Sequence, residues 1–179
     1  MLNIKSKSRV DQILLMKKII FLFFTLNILM NSNVQKVKSN EFKKEIDFSS
    51  NFLDGMELIN NGQFTEGVKK CEEAIKIRPE EKLGYLCKGI GLGFSGKRNT
   101  KREAIKSFTK AITIDPKFYE AYFWRGALQF SMKRRHMDKT DRIACSDMRK
   151  AYLNDVSYAI DFVNKNKTLL AKDKCTGFK

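Results

Sequence analysis

From Asp47 onward, apolar residues return every three or four positions, which is the spacing of one face of an α-helix. The pattern predicts helices near residues 49–61, 64–77, 81–94, 101–114, 118–131 and 140–153, and no alternating segment predicts a strand. A further amphipathic stretch, residues 155–163, places Val156, Tyr158, Ala159, Ile160, Phe162 and Val163 within one helix. Residues 19–30 are different, an apolar run broken only by Thr25 and Asn27. Residues 31–47 are polar without a clear period and read as a linker.

The two prolines of the chain punctuate this pattern. Pro79 closes the line CEEAIKIRP (residues 71–79) and Pro116 closes FTKAITIDP (residues 108–116), two near copies 37 residues apart. A proline after a helix stops it, because it lacks the amide hydrogen and clashes with the preceding turn. Each unit between prolines holds two helices, joined at Asn61-Gly62 in the first and by an enlarged turn over residues 96–101 in the second. Small residues at regular positions let antiparallel helices approach, and a bulky one fills the space between them. Gly55, Leu58, Gly67, Cys71, Ala74 and Pro79 form one such series. Tyr85, Gly89, Leu92, Ala104, Phe108, Ala111 and Pro116 form a second, and Tyr122, Gly126, Gln129, Ala144, Met148 and Ala151 a third without a closing proline.

These series resemble the tetratricopeptide repeat, whose unit is about 34 residues. The resemblance covers residues 48–153, about three units. It implies an all-α fold, a short α-solenoid of antiparallel helix pairs over residues 48–165, with residues 155–163 as a C-terminal capping helix and a basic, loosely held tail at 166–179. It also implies a protein-binding scaffold whose first helices line a concave groove. Carried onto this chain, the groove positions are Phe52, Met56 and Ile59, then Leu86, Ile90 and Gly93, then Phe123, Ala127 and Phe130. The groove is therefore apolar and suits a hydrophobic protein or peptide segment. The Lys/Asn/Arg set by which some members of that family hold a peptide's terminal carboxylate is missing. A capping helix or the N-terminal linker filling the groove is the competing reading.

The N-terminus changes the picture of where such a protein works. Lys17 and Lys18 precede the 12-residue apolar run, the form of a secretory signal peptide. The run is short of the roughly 20 residues a membrane span needs. Met16 is a natural start. No Ala-x-Ala follows Met30, so a cleaved signal and a retained anchor both stand, and an anchor is the one membrane association implied. The expected location is an exported one: periplasm, exterior or organelle lumen.

Charge adds an alternative. The chain carries 35 Lys+Arg against 20 Asp+Glu, a net +15. Beyond residue 40 the excess falls to 28 basic against 19 acidic residues. The loop after the fifth predicted helix collects Lys133, Arg134, Arg135, His136 and Lys139. A basic nucleic-acid or anionic-surface module is therefore the alternative to a groove binder, and steep salt dependence would mark it.

Candidate chemistry is sparse. Gly91, Gly93 and Gly96-Lys97 imitate two phosphate-binding patterns, but both need a strand before the loop, and here a repeat helix precedes it. Arg98 also stands where a magnesium-binding Ser or Thr belongs. His136 is the single histidine, so no nucleophile–base pair or multi-histidine metal site forms around it. No metal, cofactor or catalytic residue is assigned, and the expectation is a non-enzyme. Cys71, Cys87, Cys145 and Cys175 contain no C-x-x-C. Cys71 and Cys87 stand 8 residues either side of Pro79, level with each other if two helices turn there. A Cys71–Cys87 disulfide, leaving Cys145–Cys175, and a buried free thiol at Cys71 are both consistent with this placement.

Overall fold

The computed structural model describes residues 4–132, 139–172, 175 and 178. Eight helices are present among them: α1 (Ile4–Asn60), α2 (Phe64–Ile77), α3 (Lys82–Phe94), α4 (Arg98–Ile114), α5 (Tyr119–Ser131), α6 (Lys139–Tyr152), α7 (Ser157–Lys165) and α8 (Lys167–Lys172). No described residue lies in a strand. The segment 108–114, which had to be helical if the repeats were read correctly, lies inside α4. The chain divides into two units, Met1–Glu45 and Ile46–Lys179.

In the first unit Phe21, Leu22, Phe23, Phe24, Leu26 and Met30 are all largely exposed. Among the described residues no helix is long and apolar enough to cross a membrane. Residues 31–47 are helical, where the sequence reading had a linker. No Gly or Pro occurs before Gly55, and Lys, Gln and Glu are good helix formers, so nothing interrupts the turn-by-turn hydrogen bonding.

The second unit is a run of antiparallel helix pairs. Gly62, at φ +78°, supplies the left-handed residue between α1 and α2, and Gly96, at φ +80°, does so between α3 and α4. The second turn is tighter than the sequence predicted, with α4 starting at Arg98 rather than at 101. Ser95 helps to close it, its hydroxyl lying 2.6 Å from that of Thr100. Arg78 and Asp115 cap α2 and α4, each immediately before a proline.

The small residues sit where the helices touch. Ala74, Ala104, Ala111, Ala144 and Ala151 are fully buried. A Cβ placed on Gly126 would meet the carbonyl oxygen of Ala144 at 2.7 Å, so α5 and α6 approach backbone to backbone. Ala111 packs with Phe118 and Ala121 at the α4–α5 contact. Ala111→Leu should therefore destabilise by about 1–3 kcal/mol through overpacking, read as a lower denaturation midpoint. No change would place residue 111 outside that contact.

The C-terminal segment departs from expectation. Rather than a loosely held tail, it contributes α8, with Leu170 and Cys175 buried in a cluster with Phe130, Cys145, Met148 and Val163. Phe178 meets Tyr152 edge-on at 5.5 Å. The apolar residues spaced among the lysines are what seat it.

Candidate functional site

The glycine-rich end of α3 shows first what this surface is not. A Cβ on Gly89 would stand 2.5–2.8 Å from atoms of the Phe108 ring, and one on Gly91 would meet Val68 and Ile59 at 2.7 and 2.9 Å. With Gly84, whose added Cβ would meet Ile75 at 2.8 Å, three of the four glycines of α3 are thus consumed by helix packing, inside a helix rather than after a strand. The phosphate-loop pattern has no structural counterpart. Gly93 is different: its nearest neighbours are the Leu128 methyls, at 3.6 and 3.8 Å. It opens onto a cleft.

That cleft, of about 220 Å³, lies between α3, α4 and α5. Ile90, Gly93 and Phe94 line one side, Trp124, Ala127 and Leu128 the other, with Phe108 beneath and Lys101 at the edge. Phe94 remains 55% exposed. It stacks on Phe64 with ring centroids 6.2 Å apart and meets Trp124 edge-on at 5.8 Å. Trp124 in turn lies 5.8 Å from Tyr158 of α7. A row of aromatic rings thus runs from α2 through α3 and α5 to α7. Burial, and second the nearby Glu120 carboxylate, push the Tyr158 phenol well above its ordinary pKa. The ring packs against Phe123 and Trp124.

The nine positions assigned to a groove do not form one open surface. Ile59 is buried among Gly67, Gly91 and their neighbours. Phe123 is buried against α7, 4.9 Å from Tyr158 and 5.7 Å from Phe162. Phe130 joins the core with Cys145 and Cys175. Phe52, Met56 and Leu86 are half-buried against the core that contains Cys71 and Cys87. Only Ile90, Gly93 and Ala127 reach the cleft. In the third unit α7 covers Phe123 and the segment around Leu170 and Cys175 covers Phe130, as an end repeat must cover its apolar face. Phe64, Phe94, Trp124 and Leu128 were missed. The chain's single tryptophan was the one sequence signal available.

The cysteines pair as Cys71–Cys87 and Cys145–Cys175, with Cα–Cα separations of 5.7 and 5.5 Å. A Cβ on Gly55 would meet both sulfurs of the first pair, at 3.0 and 3.1 Å, so α1, α2 and α3 converge on it. Of the basic loop, Lys133, Arg134, Arg135 and His136 fall outside the described residues, and Lys139 opens α6.

No protein-family model matches the chain, and no curated protein matches it in sequence. Solved structures do. The TPR2B domain of yeast Sti1 in its pHsp70 complex shares 25% identity at a TM-score of 0.53, covering 73% of this chain and 93% of that one. The second TPR of Spaghetti (RPAP3), bound to the HSP90 peptide SRMEEVD, shares 16% at 0.53, covering 62% and 95%. The TPR2AB domain of yeast Sti1 in its pHSP90 complex shares 24% at 0.54, covering 84% and 54%.

The fold is that of a tetratricopeptide repeat protein. In tetratricopeptide terms α1–α2, α3–α4 and α5–α6 are the three helix pairs, and α7 is the cap. The cleft lies where the second pair meets the third, and the Cys71–Cys87 pair joins the first pair to the second.

Proposed function

We propose that this protein is an exported tetratricopeptide-like adaptor, without catalytic activity of its own, that holds an apolar segment of a protein partner in the cleft between α3, α4 and α5. The observation that carries the reading is Phe94, an aromatic side chain that lines an apolar cleft and is left 55% exposed among the described residues. The solved neighbours are peptide-binding domains by their descriptions, which supports interaction as the role of this fold. The partner segment differs in kind from a terminal carboxylate, since Phe52, Met56, Leu86, Ile90, Phe123 and Ala127 stand at the groove positions where Lys, Asn and Arg would be needed. A cleft of about 220 Å³ is also below the roughly 300–1,000 Å³ of small-molecule sites. It suits one or two anchoring side chains of a larger partner.

The test compares capture by the full chain and by its Phe94→Glu variant, from the compartment where the protein resides. A partner retained by the first and lost by the second supports the cleft. Equal retention sinks it.

Export is supported by the basic-then-apolar N-terminus and by the pairing of all four cysteines, since disulfides persist in oxidising compartments. Native protein should begin after residue 30, and alkylation without reduction should leave Cys71 and Cys87 unmodified. Reducing the Cys71–Cys87 pair should lower stability by about 2–4 kcal/mol through the freed loop. Intact Met1 or Met16 on a protein with reactive thiols would remove the export reading.

A further inference from the structure

The repeat array is finished differently at its two ends. Repeat units stack through apolar faces, so an end helix leaves a face bare unless something covers it. At the C-terminal end α7 covers the third pair, with Ala159 and Val163 buried. At the N-terminal end α1 is seated by Phe48, Gly55 and Ile59, all buried. Ile46 and Leu53 lie on a different side of the same helix, seven residues apart, and are 51% and 63% exposed. Phe42, four residues before Ile46, falls on that stripe and is 68% exposed. A line of large apolar side chains left in the open marks a contact surface. The charges beside it have an order. Along one flank Lys36 and Lys43 come before the middle of the stripe, and Asp54 and Glu57 come after it, all four exposed. None of the four has an ion-pair partner among the described residues. A helix flank that is basic first and acidic last is complementary to itself when turned end for end.

We propose that this face joins two copies of the chain, their α1 helices antiparallel about a two-fold axis that passes between Asp47 and Phe48. A two-fold contact uses the same patch on both copies, so the patch must complement itself under the rotation. This one does. Phe42 of one copy meets Leu53 of the other, Lys43 meets Asp54 and Lys36 meets Glu57, each contact made twice. In an antiparallel helix pair a flank faces the same flank of its neighbour, so the cations of one copy oppose the carboxylates of the other. Parallel pairing would set lysine against lysine and carboxylate against carboxylate. Asp47 stands close to the axis, and Lys43 of its own helix, four residues earlier, is within reach of it. The apolar stripe supplies the burial, and the order of charges selects direction and register.

Sedimentation equilibrium of the full chain should show monomer and dimer, with the dimer weakening as ionic strength rises. Lys43→Glu alone and Asp54→Lys alone each set like charges against one another twice, and each should weaken association by about tenfold or more. The two single variants mixed together should associate again, because each then presents the charge that the other lacks. Along one helix the two positions are about 16 Å apart, so only a contact between copies gives this rescue. Leu53→Glu should leave a monomer. Matching far-ultraviolet dichroism and melting of the variants shows that they remain folded. A chain that stays monomeric at every concentration overturns the proposal. Association unchanged in both Lys43→Glu and Leu53→Glu would come from the apolar run 19–30 and overturns it too. Single variants that fail to rescue each other on mixing overturn the antiparallel pairing, and the proposal with it.

Discussion

Phe108→Ala is expected to destabilise the second unit by about 3–5 kcal/mol, the range for removing a fully buried aromatic side chain. The ring is 1% exposed and shares a cluster with Ile59, Cys71, Cys87, Ile90 and Ala104. Its edge lies so close to Gly89 that a single added carbon there would stand 2.5 Å from the nearest ring atom. Domains of this size are stable by only about 5–15 kcal/mol, so the loss is a large share of the total. Urea denaturation should show a much lower midpoint at similar slope. A second substitution gives a sharper check. Gly89→Ala alone should destabilise, because its methyl meets the ring. In the Phe108→Ala background most of that penalty should vanish, since the space is vacated. Additive effects would mean that the two positions do not touch, and the packing of α3 on α4 would have to be redrawn.

Asp147→Ala should cost about 3–5 kcal/mol, the range for breaking a buried ion pair from one side. Arg125 donates to Asp147 through Nε at 2.7 Å and through Nη2 at 3.0 Å, and both side chains are largely buried. The same guanidinium donates to the Thr109 hydroxyl at 3.2 Å and lies over the Tyr122 ring, 5.5 Å from its centroid. One side chain of α5 thus ties α6 to α4. Removing the carboxylate leaves a cation in a poorly solvated position with one neutral partner. The paired replacement Arg125→Met with Asp147→Leu should recover most of the loss, because the penalty comes from the unpaired charge rather than from the missing bridge. Chemical denaturation measures both. A loss below about 1 kcal/mol for Asp147→Ala would place the pair with solvent-exposed bridges instead.

The repeat register was legible because it depends on residue size at fixed spacing. Gly89 against Phe108, or Gly126 against Ala144 and Met148, is a contact between helices whose order follows from the chain. The site was less legible because it depends on which apolar residues remain uncovered. Phe123 and Phe130 occupy groove positions, yet α7 covers the first and the segment around Leu170 and Cys175 the second. Nothing local to those phenylalanines encodes their covers. Phe64, Phe94 and Trp124 come from three helices and meet only after the pairs have stacked. The helical state of residues 31–47 escaped a reading based on apolar periodicity, since an exposed helix needs no apolar face, only the absence of breakers.

The two cystine pairs also give the solenoid unequal mechanical compliance. Cys71–Cys87 fastens α2 to α3, and Cys145–Cys175 fastens α6 to the chain end. Between these covalent clasps the seam from α4 to α5 is held without a covalent link, by Ala111 on Phe118 and Ala121 and by the Arg125–Thr109 hydrogen bond. Neither cystine crosses that seam. The cleft straddles it, with Phe94 and Phe108 on one bank and Trp124 and Leu128 on the other. Opening of that seam and widening of the cleft are then one motion, and an occupant wedged between the banks joins the second helix pair to the third across a seam that neither cystine crosses.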